Sequence, residues 1–166
     1  SANQTMRTAQ KLYEGTEIKG ETTGLITYMR TDSVVMSNDA INQIRSFVTS
    51  NYGANYLPDS PRVYKSKAKN AQEAHECIRP TNINLTPKDI KQYITLEEYK
   101  LYEIIWQRAV SSQMASAILD QVAVDITNED KKIVLRANGS TIKFPGMYKV
   151  YQEAKDDDKD EEKETI

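Results

Sequence analysis

The residue pattern predicts an α+β fold, helical over most of its length and closed by a small antiparallel β segment. Before Ser116 the apolar residues recur every three to four positions. Beyond it the period changes to two, with Val122, Val124 and Ile126 alternating with Ala123 and Asp125. Composition agrees with a folded domain: of 166 residues 39% are hydrophobic and 28% charged, and no apolar run approaches the ~18 residues of a membrane span. The length suits one domain, or one domain with part of a neighbour.

Along the chain, Met6, Ala9, Leu12 and Tyr13 share one face of a helix expected over Gln4 to Glu14, with Gly15 as its stop. Gly20 and Gly24 bracket a polar turn, and Leu25-Ile26-Thr27-Tyr28-Met29 then reads as a short β-prone run. Ser37 is an N-cap for a helix whose Ile41, Ile44, Phe47 and Val48 form an apolar stripe, with Asp39 in the first turn and Gly53 beyond the end. Pro58 and Pro61 predict an ordered loop from Ala54 to Ala68, and Gln72 to Ile78 reads as a short helix ended by Pro80. Thr95 and Glu98 form a capping box for the strongest helix, which carries Leu101, Tyr102, Ile105, Ala109 and Val110 toward Met114. In the β segment, Ile133 to Leu135 leads through Asn138-Gly139 into Ile142 and Phe144, and Asn-Gly between β-prone runs predicts a hairpin turn there. The expected division is therefore residues 1–116, a helical unit; 117–151, a β segment; and 152–166, an acidic tail or linker. No internal repeat is evident.

Charge is unevenly spread. Asp156 to Glu164 holds seven acids and two lysines, so removing its five net negative charges from the whole-chain −2 leaves a remainder of about +3. With nothing apolar to bury, that run reads as solvated. Within it Asp158, Asp160 and Glu162 fit the magnesium-binding spacing D-x-D-x-E, but Gln152-Glu153-Ala154-Lys155 supplies no hydrophobic strand to hold them rigid, and the match reads as accidental. A single cysteine, Cys77, excludes an internal disulfide framework and points to a reducing, cytoplasmic compartment; a single histidine, His75, argues against a zinc site built by this chain alone. Cys77, with Ala74 and Ile78 nearby in sequence, reads as packed rather than reactive. The first residues, Ser1-Ala2-Asn3-Gln4, lack an initiator methionine and any signal pattern, as expected of a piece of a longer protein.

The segment Gly24-Leu25-Ile26-Thr27-Tyr28-Met29-Arg30-Thr31-Asp32-Ser33 carries the chemistry. In an extended conformation Tyr28, Arg30 and Asp32 share one face. A tyrosine phenol has a reference pKa near 10, so its reactive anion is disfavoured at neutral pH by about 4 kcal/mol and needs a neighbouring cation or base. The permanent charge and forked donors of Arg30 meet that need and also suit a phosphate. Among ten tyrosines, however, an Arg two positions away is common, and Tyr28 as a packing residue is the plainer reading of spacing alone.

The string GLITYMRTDS resembles the active-site tyrosine motif of bacterial type IA DNA topoisomerases. QTMRTAQKLYEG resembles the helix before that motif, SNDAINQIRSFVTSNYGANYLP the helix after it, and AQEAHECIRPT a second family motif, followed by a helix ending in IIWQRAVSSQM and the β segment. The resemblance runs to about Tyr151. It implies that Tyr28 becomes joined to the 5′-phosphate of a cut DNA strand, that Arg30 lies beside the scissile phosphate, and that Asp32, His75 and Arg79 support the active site or contact DNA. Plainer readings stand beside these: His75, flanked by Glu73 and Glu76, as a surface histidine, and Arg79 as a cap on helix-end carbonyls. The basic stretch Arg62 to Lys69, with Tyr64 inside it, suits a DNA backbone or a solvated loop.

The same resemblance implies relaxation of negative supercoils without ATP in the bacterial cytoplasm, at the nucleoid, with single-stranded DNA as substrate. It implies that Mg2+ is bound by a Toprim domain that this sequence does not contain, that this fragment binds no metal itself, and that the β segment belongs to an adjoining arch domain. The isolated chain is then catalytically incomplete. Two other classes remain. A tyrosine recombinase uses Tyr with Arg and His but places its nucleophile after the basic residues, whereas Tyr28 precedes them. A non-enzymatic helical interaction module would leave Tyr28 packed, so exposure of Tyr28 discriminates.

Overall fold

The computed structural model describes residues 1–65, 75–130 and 132–151. The first helix, α1, spans Ala2–Glu14 and ends at Gly15, whose φ of 113° is open to glycine. A two-strand hairpin follows, β1 Thr16–Ile18 and β2 Glu21–Thr23. Its two-residue turn places Lys19 and Gly20 at positive φ, as a type I′ turn requires. The sequence reading took this stretch only as a polar turn.

Helix α2, Asn38–Tyr52, starts where the Ser37 hydroxyl accepts the Ala40 amide at 3.3 Å and stops at Gly53. Helix α3, Pro87–Ile90, is a single turn that the sequence reading did not anticipate. Helix α4, Leu96–Ser112, begins with the expected capping box: the Thr95 hydroxyl accepts the Glu98 amide at 3.3 Å and the Glu98 carboxylate accepts the Thr95 amide at 2.9 Å. Of the expected helix at Gln72 to Ile78, residues 72–74 lie outside the described residues and His75 to Ile78 are not helical. Their amides go elsewhere. Cys77 N donates to the Val35 carbonyl at 2.7 Å, which a helix at this point would forbid.

The core forms where α1, α2 and α4 bury their stripes around Leu25 and Ile26. Leu12, Val48, Ile90, Tyr102, Val110 and Met114 are fully enclosed. Phe47 and Trp106 meet edge to face at 5.4 Å, and the two polar aromatic heads are satisfied by the loop before α3: Trp106 Nε1 donates to Ile83 O at 2.9 Å and the Tyr102 hydroxyl to Leu85 O at 2.7 Å. Burial pushes the Tyr102 phenol far above its ordinary range, so it stays a neutral donor. Gln113, fully buried at the end of α4, trades two hydrogen bonds with the backbone of Arg62 and so ties the loop after Pro61 to the helix.

Strands β3, Ile118–Thr127, and β4, Val134–Phe144, form an antiparallel ribbon with an irregularity between Ile118 and Leu119. The expected turn at Asn138-Gly139 is overturned. Those residues lie mid-strand opposite Ala123 and Val122, and the chain reverses between Thr127 and Val134, where Asn128 Oδ1 accepts the Ile133 amide at 3.0 Å. A turn at Asn138 would split β4 and leave most of β3 unpaired. The observed register pairs ten residues, sets Ile126 opposite Leu135, and joins Arg136 to both Asp125 oxygens at 2.6 and 2.8 Å. Val122, Val124, Ile126 and Leu135 share one face of the ribbon and all stand exposed. Gly146, at φ 48°, returns the chain to the helices; a Cβ there would sit 2.5 Å from the carbonyl oxygens of Ala115 and Ser116.

Packing and capping should separate cleanly in urea denaturation. Leu12→Ala is expected to cost about 2–5 kcal/mol, because its side chain is wholly enclosed. Thr95→Ala should cost about 1 kcal/mol, and Leu96→Ala, one residue on but exposed, less than about 0.5 kcal/mol.

Candidate active site

Two chain segments some fifty residues apart cross to build the site. Ile26 and Pro80 form a single antiparallel bridge. Beside it Thr27 N donates to Arg79 O at 2.9 Å, and the Thr27 hydroxyl donates to Cys77 O at 2.8 Å while accepting the Arg79 amide at 3.0 Å. Thr81 closes the other side, its amide bonding Leu25 O at 3.1 Å and its hydroxyl Gly24 O at 2.6 Å. The crossing is fastened to α1 by the Leu25 amide, which donates to Leu12 O at 2.8 Å. Gly24 passes so close to α1 that a Cβ would lie 2.8 Å from Tyr13 O.

The expected β run at Leu25 to Met29 is thus one bridge and not a strand. The Arg79 amide goes to the Thr27 hydroxyl and not to the Thr27 carbonyl, so the ladder stops there. Past Thr27 the backbone turns: the Arg30 amide donates to Tyr28 O at 2.9 Å, a three-residue turn. Arg30 and Asp32 nevertheless meet, Nε to Oδ2 at 2.9 Å. The second segment brings His75 to them, with Arg30 Nη1 and His75 Nε2 3.0 Å apart. The His75 ring lies tilted against Tyr28 at 6.4 Å between centroids. Tyr28 also takes an edge contact from Tyr13 at 5.3 Å and 66°, yet its side chain remains about half exposed, at 51%. Tyr28 is therefore presented to the surface between two rings, and a chain of Asp32, Arg30 and His75 runs beside it.

Arg79 is placed differently. It is largely buried, donating through Nε to the Glu76 carboxylate at 2.5 Å and through Nη1 to Pro80 O at 3.0 Å, so it braces the second segment rather than joining Arg30. Burial alone would raise the Glu76 carboxyl, but hydrogen bonds from Arg79 and Ser37 outweigh it and hold the group below its ordinary value. Burial pushes the Cys77 thiol up, as expected of a packed cysteine. Sequence reasoning missed Thr27, Tyr13, Glu76 and Thr81. Only Gly24, the first residue of the motif, signalled that the backbone approaches another element here.

A hard dication needs several convergent oxygens. The site offers guanidinium, imidazole and phenol groups, with one carboxylate, Asp32, committed to Arg30. Among the described residues no group of three or more His, Cys, Asp or Glu converges on a point. These residues do not fit magnesium. The D-x-D-x-E match at Asp158, Asp160 and Glu162, and the acidic stretch around it, lie outside the described residues.

A family model for DNA topoisomerase matches residues 1–166. The chain belongs to the bacterial type IA DNA topoisomerase family. It is 56% identical over its full length to DNA topoisomerase 1 of Rickettsia bellii, covering 21% of that protein, and 50% identical over 94% of its length to DNA topoisomerase 1 of Xylella fastidiosa, covering 19%. The full-length topoisomerase I of Thermotoga maritima superposes with a TM-score of 0.78 at 34% identity, over 93% of this chain and 24% of that one. The chain thus spans about a fifth of the length of the topoisomerases it matches. Neither a recombinase nor a non-enzymatic interaction module is favoured by these matches.

The Glu76 brace predicts a pH signature. A carboxyl held below its ordinary value of 4.5 stabilises the fold fully above that value and loses the contribution as pH falls through its folded-state value. Glu76→Gln should therefore lower the denaturation midpoint at pH 7, and the gap to the wild type should close on titration below pH 4.5.

Proposed function

We propose that Tyr28 is the nucleophile of a single-strand DNA cleavage and rejoining reaction carried out by the enzyme of which this sequence forms about a fifth. The observation that carries this reading is the exposed Tyr28 ring set beside Arg30 and His75, which a hydrogen bond unites across 45 positions of sequence. The Tyr28 oxygen attacks a backbone phosphorus and forms a phosphotyrosine with the 5′-phosphate. The bond to the preceding 3′-oxygen breaks, and that oxygen leaves as a 3′-hydroxyl after taking a proton. Attack by the same hydroxyl reverses the step and restores the strand, so the bond energy is conserved and no ATP is consumed.

Arg30 holds a phosphate oxygen and offsets the charge that grows as phosphorus becomes five-coordinate. Asp32 and His75 keep its guanidinium in place. Arg79 acts through the Glu76 brace, holding the second segment where His75 reaches Arg30. Magnesium, the general acid and the facing wall of the site belong to a Toprim domain in the remainder of the parent enzyme, and the chain by itself is catalytically incomplete. Residues 1–116 form the tyrosine-bearing domain. Residues 117–151 start the arch, whose further strands cover the apolar face of Val122, Val124, Ile126 and Leu135, since a two-strand ribbon gains little stability alone. Opening of the tyrosine domain from its partner then lets a second strand pass and relaxes negative supercoils. No helix of the described residues is long and apolar enough to cross a membrane. We place the parent enzyme in the bacterial cytoplasm, at the nucleoid, because its DNA substrate lies there.

In the parent enzyme Tyr28→Phe should fold normally and form no covalent complex with a single-stranded oligonucleotide on a denaturing gel. A persisting complex would remove Tyr28 from the role. Arg30→Ala should slow single-turnover cleavage by about 10²–10³-fold, equivalent to about 2.7–4 kcal/mol, with little change in melting temperature because the side chain is exposed.

A further inference from the structure

A cavity of about 350 Å³ opens where the loop after Pro61 crosses the end of α4. Its wall includes Val34, on the stretch following the nucleophile loop, and Cys77, two residues beyond His75. These two stretches are joined by the bond from the Cys77 amide to Val35 O. Tyr28, Arg30 and His75 are not among its lining residues.

Two guanidinium groups, of Arg62 and Arg108, line this cavity together with the phenols of Tyr64 and Tyr151. Arg62 Nη2 donates to the Ser116 hydroxyl at 2.9 Å, and Arg108 Nη1 donates to the Tyr151 hydroxyl at 3.3 Å while its guanidinium lies over the same ring at 5.4 Å. Both partners are neutral oxygens. Neither arginine has a carboxylate partner among the described residues, and the lining contains no acid. Each guanidinium has five N–H donors, so most of its capacity remains for a ligand. The Tyr64 hydroxyl donates to Ser112 O at 3.1 Å, fixing a ring whose side chain stays 44% exposed. Two permanent cations, a tethered phenol ring and a largely apolar floor match a nucleotide, whose phosphate wants forked donors and whose base wants a flat apolar surface.

We propose that this cavity is a second contact point for single-stranded DNA, taking one nucleotide with its phosphate between Arg62 and Arg108 and its base against Tyr64. The inference rests on the reading of the chain as part of a single-strand-cleaving enzyme. A strand seated at both places follows the ridge formed by residues 33–36 and 75–78, so the cavity holds DNA at a distance from the break while Tyr28 holds one broken end.

The test uses the full-length parent enzyme and a fluorescent single-stranded oligonucleotide, with affinity measured by anisotropy across a salt series. Arg108→Gln removes an exposed charge, and Arg62→Gln leaves the backbone pairing with Gln113 intact, so both variants are expected to keep the wild-type melting temperature. The enzyme carrying both substitutions should flatten the slope of log affinity against log salt by about 0.7, the counterions released at one single-strand phosphate, and each single variant by less. An oligonucleotide carrying 5-iodouracil should photo-crosslink to Tyr64. An unchanged slope in the doubly substituted enzyme overturns the proposal. Tighter DNA binding by either variant also overturns it, by showing that the arginines hold an acidic segment of the protein instead. Failure here leaves the role of Tyr28 standing, because adduct formation and its loss in Tyr28→Phe are read independently of the cavity.

Discussion

The Thr27 hydroxyl both donates to Cys77 O and accepts the Arg79 amide, and through it the segment carrying Tyr28 is fixed to the segment carrying His75. The residue just before Tyr28 is held by the second segment, while the residue before that, Ile26, is buried in the core. With Ile26 bridged to Pro80, the Leu25 amide bonded to the end of α1 and the Thr27 amide to Arg79 O, the backbone is held up to Thr27 and turns outward beyond it. The side chain at position 28 is therefore anchored by one neighbour and exposed by the other. Moving it two places toward the amino end, to the position of Ile26, would bury it.

That arrangement explains why Tyr28, Arg30 and His75 occupy no regular element. A strand through Tyr28 would spend its backbone on a ladder and fix its side chains to alternating faces. The three-residue turn from Tyr28 to Arg30 releases this constraint, and His75, arriving from the crossing segment, fills the space between the phenol and the guanidinium. Glu76, Arg79 and Thr81 spend their polar groups on the crossing itself. The division between groups that hold and groups that face outward follows burial: Arg79 is 16% exposed and Arg30 45%.

The sequence made the helices legible because their signals are local. Ser37 with Gly53, and Thr95 with Glu98, bound α2 and α4 through contacts within four residues, and the apolar stripes between them needed no tertiary information. Extended segments were less readable because their partners are distant. Leu25 to Met29 has strand composition, but the Arg79 amide that would extend the pairing goes to the Thr27 hydroxyl, and the backbone turns at Tyr28. Asn138-Gly139 carried a turn signal that lost to a longer register and to the paired charges of Asp125 and Arg136. The motif residues Tyr28, Arg30 and Asp32 were legible together, and His75 through resemblance alone. Nothing local foretold that Tyr13, read as part of a helical face, would set its ring against Tyr28, or that Arg79 would turn inward to Glu76.

Tyr13 makes the central claim sharply testable, since two exposed phenols stand 5.3 Å apart and the account assigns the chemistry to only one of them. The direct measurement is to trap the intact enzyme on a single-stranded oligonucleotide, digest the protein and the DNA, and locate the residual nucleotide by mass spectrometry. The account predicts a nucleotide joined through its 5′-phosphate to the peptide containing Tyr28, at the Tyr28 oxygen. A nucleotide on Tyr13 or any other tyrosine, or one attached through its 3′-phosphate, would contradict it.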